Sequence, residues 1–424
     1  MHLNWEIVSR SKKSNIKTNM SLSLIGRAVA ESVTLKLNET AAILRAKGEP
    51  VIHLGIGEPK SKAPLDAITA AAAVLNTGDV RYTPADGTPA MKQAIIRYTA
   101  DFYKRMVEPG NVIASSGAKQ SLMVALQAIL NPQDEVIFPA PYWVSYPEMV
   151  KLCGAVPVPV LPEDGTFYPR MEDIERNVTS YTKAIIINSP NNPTGVVYSE
   201  DFITEIIEFC EKKNIYLIMD DIYNRLLFNG KKPLSCYDYL KGSIEDSKII
   251  VINGVSKLYA MTGFRIGWAV ANKKLIKVMT NIQGHQTSGP SVVLQAAAVG
   301  AINGIQSCVD SLAMTLENNT RVMMEQLNAF EGVRPNKPDG AFYCFADFSH
   351  YEKDSAKLAY FLLDKVRVIT VPGKEFGLDG HLRLSTCGSI KEITQGIERI
   401  KWALDPNSPN ELYIGERKLT RDWI

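Results

Sequence analysis

Lys257 stands in the run Ser256-Lys257-Leu258-Tyr259-Ala260-Met261-Thr262-Gly263-Phe264-Arg265-Ile266-Gly267. The stretch before it, Ile249-Ile250-Val251-Ile252, reads as a buried strand ending in the polar turn Asn253-Gly254. A lysine at the mouth of a strand, with Arg265 following in a glycine-flanked loop, suits a carbonyl cofactor that carries a phosphate. The amine can form a Schiff base, and the guanidinium can hold the phosphate as a two-pronged partner. The plainer alternative is a surface lysine beside a turn. Three other runs carry related chemistry. Ser115-Ser116-Gly117-Ala118-Lys119-Gln120 precedes an apolar helical pattern (Leu122, Met123, Ala125, Leu126, Ile129), so free N–H groups and the helix dipole there suit either an anion or an ordinary cap. Asp220 ends the apolar run Tyr216-Leu217-Ile218-Met219, where an acid is either a helix cap or a functional carboxylate. Arg383, inside His381-Leu382-Arg383-Leu384-Ser385, is a cation in a short apolar strand and calls for an anionic partner.

The elements that must position these residues follow from periodicity. Apolar runs at Val136-Ile137-Phe138, Ala184-Ile185-Ile186-Ile187, Tyr216–Met219, Ile249–Ile252 and Ile266–Val270 alternate with helical patterns between about 112 and 270. That alternation predicts an α/β architecture, a mostly parallel sheet with helices on both faces. Ligands on such sheets bind beyond the carboxyl ends of the strands, where Asn192, Asp220 and Lys257 fall. No G-x-G-x-x-G joins a strand to a helix, which argues against a dinucleotide fold. A helical region is expected from about Ser291 to Leu327, and then a smaller α+β part containing Phe342–Phe345, Val368–Val371 and Leu382–Leu384.

Taken together, these runs resemble the class I/II aminotransferases, the fold-type I enzymes that use pyridoxal 5'-phosphate, over roughly residues 20–404. The resemblance implies a large domain with a mostly parallel seven-stranded sheet and a smaller α+β domain. It assigns Lys257 as the cofactor lysine and Arg265, Gly117, Ala118 and Lys119 to its phosphate side. Gly254 stands where many relatives carry a phosphate-binding serine, which shifts that work to Arg265, the 115–118 turn and Ser256. Asn192, in Asn188-Ser189-Pro190-Asn191-Asn192-Pro193-Thr194-Gly195, matches the amide that donates to the cofactor's phenolic oxygen, and Tyr223 matches the tyrosine meeting that same oxygen. Asp220 matches the carboxylate that keeps the pyridine nitrogen protonated, Asp221 a second acid with a structural role. Trp143, in Pro141-Tyr142-Trp143-Val144-Ser145-Tyr146, matches the ring stacked on the cofactor; as a lone tryptophan it reads equally as core. Arg383 matches the clamp on the substrate α-carboxylate, and Gly57, in Gly55-Ile56-Gly57-Glu58-Pro59, the loop that closes on substrate. Tyr82 matches the tyrosine reaching the neighbouring subunit's cofactor, which implies a homodimer with shared sites.

The resemblance is nearest to the bacterial and archaeal aspartate aminotransferases, in which a lysine at the position of Lys119 meets the distal carboxylate; an exposed first-turn lysine is the alternative for it. Amino acids and 2-oxo acids are the expected substrates. Lys60 departs from that pattern, standing where an aspartate is usual. An aromatic, kynurenine or prephenate specificity would need a roomier pocket, with Tyr142 or His285 to line it. A γ-eliminating lyase resembling aminocyclopropane-carboxylate synthase would share every cofactor residue. A transcription regulator of this fold would need an N-terminal helix-turn-helix domain, for which the chain has no room.

The 424 residues are 46% hydrophobic and 22% charged, enough for two domains, and the net charge of +2 favours neither nucleic acid nor an anionic membrane. No apolar run approaches the length of a membrane span. The six cysteines show no C-x-x-C pair and the five histidines no metal spacing, so reduced thiols and no metal are expected. The expected divisions are an extension at 1–19, an N-terminal part of the small domain at 20–58, the cofactor domain at 59–305, the small domain at 306–404 and a turn-rich tail at 405–424. The extension is basic (Arg10, Lys12, Lys13, Lys17 against Glu6) and lacks an apolar segment, unlike a secretory signal, and Met20 is a candidate start. A cytoplasmic enzyme is the expectation.

Overall fold

The computed structural model describes residues 22–423 apart from 31, 32, 164, 415 and 416; the extension at 1–19 and Met20 lie outside the described residues. After a two-residue strand β1 (Ile52–His53), seven strands form one sheet: β2 (Val112–Ser115), β3 (Glu135–Pro139), β4 (Val156–Val160), β5 (Thr182–Ile187), β6 (Tyr216–Asp220), β7 (Ile249–Gly254) and β8 (Gly267–Val270). Their spatial order is β2-β8-β7-β6-β5-β3-β4, and only β8 runs against the others. The strands read as unbroken apolar runs because both faces are buried. Ala184, Ile186, Ile218, Ile250 and Ile252 join one core with the helices Ala118–Ile129 and Lys273–Gln286. Ile185, Ile187, Leu217, Met219, Ile249 and Val251 join the opposite core with the helices Pro89–Tyr103 and Glu200–Lys213. Successive residues thus serve opposite cores, and each fully buried isoleucine contributes about 1.5–3 kcal/mol.

The C-terminal elements build a second centre. β9 (Tyr343–Asp347), β11 (Val371–Pro372) and β12 (His381–Ser385) form an antiparallel sheet in the order β11-β12-β9, while β10 (Val368–Ile369) pairs in parallel with β1. Ile52 and Leu54 pack here with Leu382, Leu384 and Ile397, and Leu37 and Ala41 of helix Val33–Ala46 pack on Leu363 and Ile369. The early chain is therefore built into the C-terminal core.

Two details differ from the sequence reading. The helical region after Ser291 is two helices, Val292–Asn303 and Ser307–Asn328, bent by 79°. Gly304 sits at the break, where a Cβ would lie 2.3 Å from Asp66 Oδ2 and 2.6 Å from the Gly300 carbonyl. The tail, read as turn-rich, also holds an antiparallel hairpin of β13 (Glu411–Ile414) and β14 (Arg417–Thr420). It is anchored where Trp423 meets Trp402 and Phe361 edge-on, both at 5.6 Å. No single described helix is long and apolar enough to cross a membrane.

Candidate active site

A cavity of about 610 Å³ opens at the carboxyl ends of β5, β6 and β7. Asn192, Asp220, Tyr223, Lys257, Arg265 and Arg383 all line it, as do Gly57, Ala118, Lys119 and Trp143. Gly117 adjoins it beneath Arg265. Tyr82 does not line it: in the single chain this side chain is 96% exposed. His285, on the exposed face of helix Lys273–Gln286, does not line it either, whereas Tyr142 does.

Lys257 sits in the one-turn helix Val255–Leu258 at the end of β7. Its Nζ donates to the Gly57 carbonyl at 2.5 Å. Burial brings the amine down to about 8, with Arg383 and Arg265 adding to the effect and Cys387 and Glu58 opposing it. An amine so lowered is partly unprotonated near neutrality and competent as nucleophile or base. Glu58 is itself held by the Thr262 hydroxyl at 2.6 Å, and Lys60 is paired with Glu392 at 2.6 Å, which ties the rim of the loop to the N-terminus of helix Ile390–Leu404.

Asp220 is buried at the end of β6. Its Oδ2 accepts from the Tyr146 hydroxyl at 2.7 Å, and its backbone carbonyl accepts from Asn188 Nδ2 at 2.8 Å. Burial raises its carboxyl from 3.8 to about 6, against the pull of Tyr146, the Ile222 backbone and Lys257. Asp221 is tied instead to the Tyr103 hydroxyl at 2.8 Å, outside the cavity. The Tyr223 hydroxyl meets that of Tyr343 at 3.1 Å.

Arg383 projects from the middle of β12 and is 4% exposed. Nη1 donates to Asn192 Oδ1 at 3.0 Å, Nη2 to the Gly55 carbonyl at 2.9 Å, and buried Nε has no partner. The guanidinium lies over the Tyr343 ring at 4.4 Å and near Phe376 at 5.1 Å. Among the described residues no carboxylate pairs with it, so a buried fork stands ready for an anion.

On the other wall, helix Ala118–Ile129 starts at Gly117 with φ 93°, and a Cβ there would fall 2.5 Å from Arg265 Nη2. Gly267 approaches the same helix so closely that its Cβ would lie 2.1 Å from the Ala118 nitrogen. Gly254, paired with Gly267, would bring a Cβ to 2.9 Å from the Ile266 carbonyl, so this packing disfavours a serine there. Lys119 Nζ lies 4.8 Å from the Trp143 ring centre, its pKa lowered by burial and by Arg265.

The sequence profile of aminotransferase class I and II matches residues 49–400. The chain belongs to that family. It is 38% identical over 399 residues to the aspartate aminotransferase of Bacillus subtilis, covering 92% of this chain and 100% of that protein. It is 38% identical over 383 residues to a probable aspartate/prephenate aminotransferase of Aquifex aeolicus, covering 88% and 96%. The structure of Thermus thermophilus aspartate aminotransferase with maleate superposes with a TM-score of 0.85 at 34% identity, covering 90% of this chain and 99% of that one. The fold is fold-type I, and the protein is a pyridoxal-phosphate-dependent aminotransferase.

The cavity of this aminotransferase fits that cofactor. The N–H groups of Ala118 and Lys119, the first two of helix Ala118–Ile129, have no intrahelical partner, and they start the helix beside the Arg265 guanidinium at a cradle that any Cβ at Gly117 would fill. A buried carboxylate, an amide, a tyrosine and a flat indole stand ready for a heteroaromatic ring. Two residues at the site had no role in the sequence reading. Tyr146, on helix Ser145–Leu152, does not line the cavity but backs it, its buried hydroxyl donating to Asp220 Oδ2. Tyr343 shares a face with Arg383 only through the register Arg383↔Phe345.

Proposed function

We propose that this aminotransferase acts on aspartate and 2-oxoglutarate, giving oxaloacetate and glutamate by a ping-pong cycle. The observation that carries this reading is the pair of cations on opposite walls of one cavity: Arg383, unpaired by any described carboxylate, and Lys119 on the face of Trp143. Two carboxylates of one small substrate can be held between them. Relatives named aspartate aminotransferase, and one solved with maleate, support it. Relatives named aspartate/prephenate, together with Tyr142 on the wall, favour prephenate as the second reading.

In this reading Lys257 Nζ is both the attachment point and the proton carrier, taking the proton from the substrate Cα and returning it to the carbon on the far side of the substrate nitrogen. The bound pyridoxal ring supplies the conjugated system that takes up the electron pair released from Cα. Asp220 would hold a negative charge for the ring nitrogen. Asn192 and Tyr223 would donate to the ring oxygen; Arg265, Ser256 and the N–H groups of Ala118 and Lys119 would hold the phosphate, while Gly117, whose own N–H is given to the Ser115 carbonyl at 2.8 Å, leaves room for it. Gly57 closes on the substrate, and Trp143 covers the ring and excludes water. We further propose a cytoplasmic homodimer, with the boundaries near 58/59 and 305/306. Support for the dimer comes from helix Leu65–Thr77, which exposes Leu65, Ile68 and Leu75 beside a fully projecting Tyr82.

The test is a single half-reaction: L-aspartate added to holoenzyme without any oxo acid should release one oxaloacetate per active site and no more. Lys119→Ala should then raise KM for aspartate far more than KM for phenylalanine. Equal effects on both amino acids, or no oxaloacetate, would overturn the aspartate assignment.

A further inference from the structure

We infer that His53 is a positioning residue for Arg383, holding the Gly55 peptide so that its carbonyl meets the guanidinium. This rests on the reading of Arg383 as the α-carboxylate partner. His53 is 9% exposed at the end of β1, and both ring nitrogens are engaged. Nδ1 accepts from the Gly55 N–H at 3.1 Å, which places the ring proton on Nε2, 2.6 Å from Asn38 Oδ1 on helix Val33–Ala46. The imidazole is neutral: burial, with Arg45, Arg383 and Lys60 nearby, takes it down to about 4.

The consequence lies in how the 54–55 peptide is held. Its carbonyl, on Leu54, accepts from the Ser385 N–H at 2.6 Å on β12, and its N–H is held by His53. Both ends of that plane are fixed, so a single pair of backbone angles at Gly55 separates it from the carbonyl that accepts from Arg383 Nη2 at 2.9 Å. Glycine is the residue most free to turn there. Without the Nδ1 acceptor the carbonyl swings away, and the guanidinium loses one of its two orienting partners, Asn192 Oδ1 being the other. The line Asn38–His53–Gly55–Arg383 thus links an N-terminal helix to the buried fork.

The geometry separates two roles by two substitutions. An asparagine carries its acceptor at the δ position and can still take the Gly55 N–H; a glutamine places its polar atoms one bond farther and restores only the contact to Asn38. In holoenzyme, His53→Ala should raise both the KM for aspartate and the Kd for maleate by about tenfold, with kcat within about twofold, the size of one hydrogen bond to a charged partner network. His53→Asn should recover most of that affinity and His53→Gln should not. If His53→Ala fails to fold, the Asn and Gln variants decide the matter alone. Combining His53→Ala with Arg383→Lys should add little to the loss caused by Arg383→Lys. Unchanged maleate affinity in His53→Ala, rescue by Gln rather than Asn, or full additivity with Arg383→Lys overturns the inference. An Arg383→Lys protein with unaltered KM and maleate affinity would instead remove the carboxylate reading of Arg383 on which it rests.

Discussion

Asp220 ought to destabilise the cofactor-free protein. Its carboxyl is raised by burial from 3.8 to about 6, even with the Tyr146 hydroxyl, the Ile222 N–H and Lys257 pulling it down. A gap of about two pH units corresponds to roughly 3 kcal/mol. The sign follows from proton binding. Between about pH 4 and pH 6 the native state holds this proton more tightly than the unfolded chain does, so stability falls as pH rises through that window. Below it the penalty is absent, and above it the penalty is complete. Asp220→Asn is neutral at every pH and its side-chain oxygen can still accept from Tyr146. In urea titrations of cofactor-stripped protein, this variant should be more stable than the wild type by up to about 3 kcal/mol at pH 8, and equal to it near pH 4. Asp221, raised to about 7 mainly by burial and partly by the charge of Asp220, has the same sign in both proteins and shrinks only in the variant. Transamination should collapse in that same variant. A variant less stable than wild type at pH 8, or a stability difference that does not change with pH, would refute the reasoning.

Three further outcomes are expected. Trapping of Lys257 in stripped protein by pyridoxal phosphate and borohydride, read by peptide mass spectrometry, should accelerate up to about pH 8 and then level, following its lowered amine; a rate still climbing beyond pH 10 contradicts that environment. Gly267→Ala, whose Cβ would press on the Ala118 nitrogen, should push back the helix start, lower stability by about 1–3 kcal/mol and weaken cofactor retention in equilibrium dialysis; wild-type retention would show that the cradle tolerates the shift. Leu65→Glu, on the exposed face of helix Leu65–Thr77, should move the protein toward monomer in sedimentation velocity, and an unchanged dimer would exclude this face from the interface.

What was legible in the chain and what was not divides along a physical line. Asn192, Asp220 and Lys257 could be read because each ends or closely follows a strand buried on both faces, and such strands announce themselves as unbroken apolar runs followed by polar turns. Gly117 and Arg265 could be read because each stands in a short glycine-bearing run, although the cradle they form joins runs far apart in the chain. Contacts that depend on register or on distant closure left no local mark. Tyr343 reaches Arg383 because β9 and β12 pair with Phe345 opposite Arg383, and a shift of one residue would turn the tyrosine to the other face. The bond from Lys257 to the Gly57 carbonyl joins residues 200 positions apart. The break before Ser307 needed Asp66 from another helix to exclude a side chain at Gly304. The tail hairpin is short, and its Leu412 and Leu419 and the following Trp423 find their places only against the distant C-terminal core. His53 belongs with these: a histidine in Val51-Ile52-His53-Leu54 looks like a strand residue turned to solvent, and only the fold puts Asn38 on one nitrogen and Gly55 on the other. The residues proposed to react sit on segments that declare themselves, while the groups proposed to aim them are recruited from far along the chain. A substitution series confined to the motifs would therefore report the chemistry and miss the aiming, which is why the His53 variants are the more discriminating experiments.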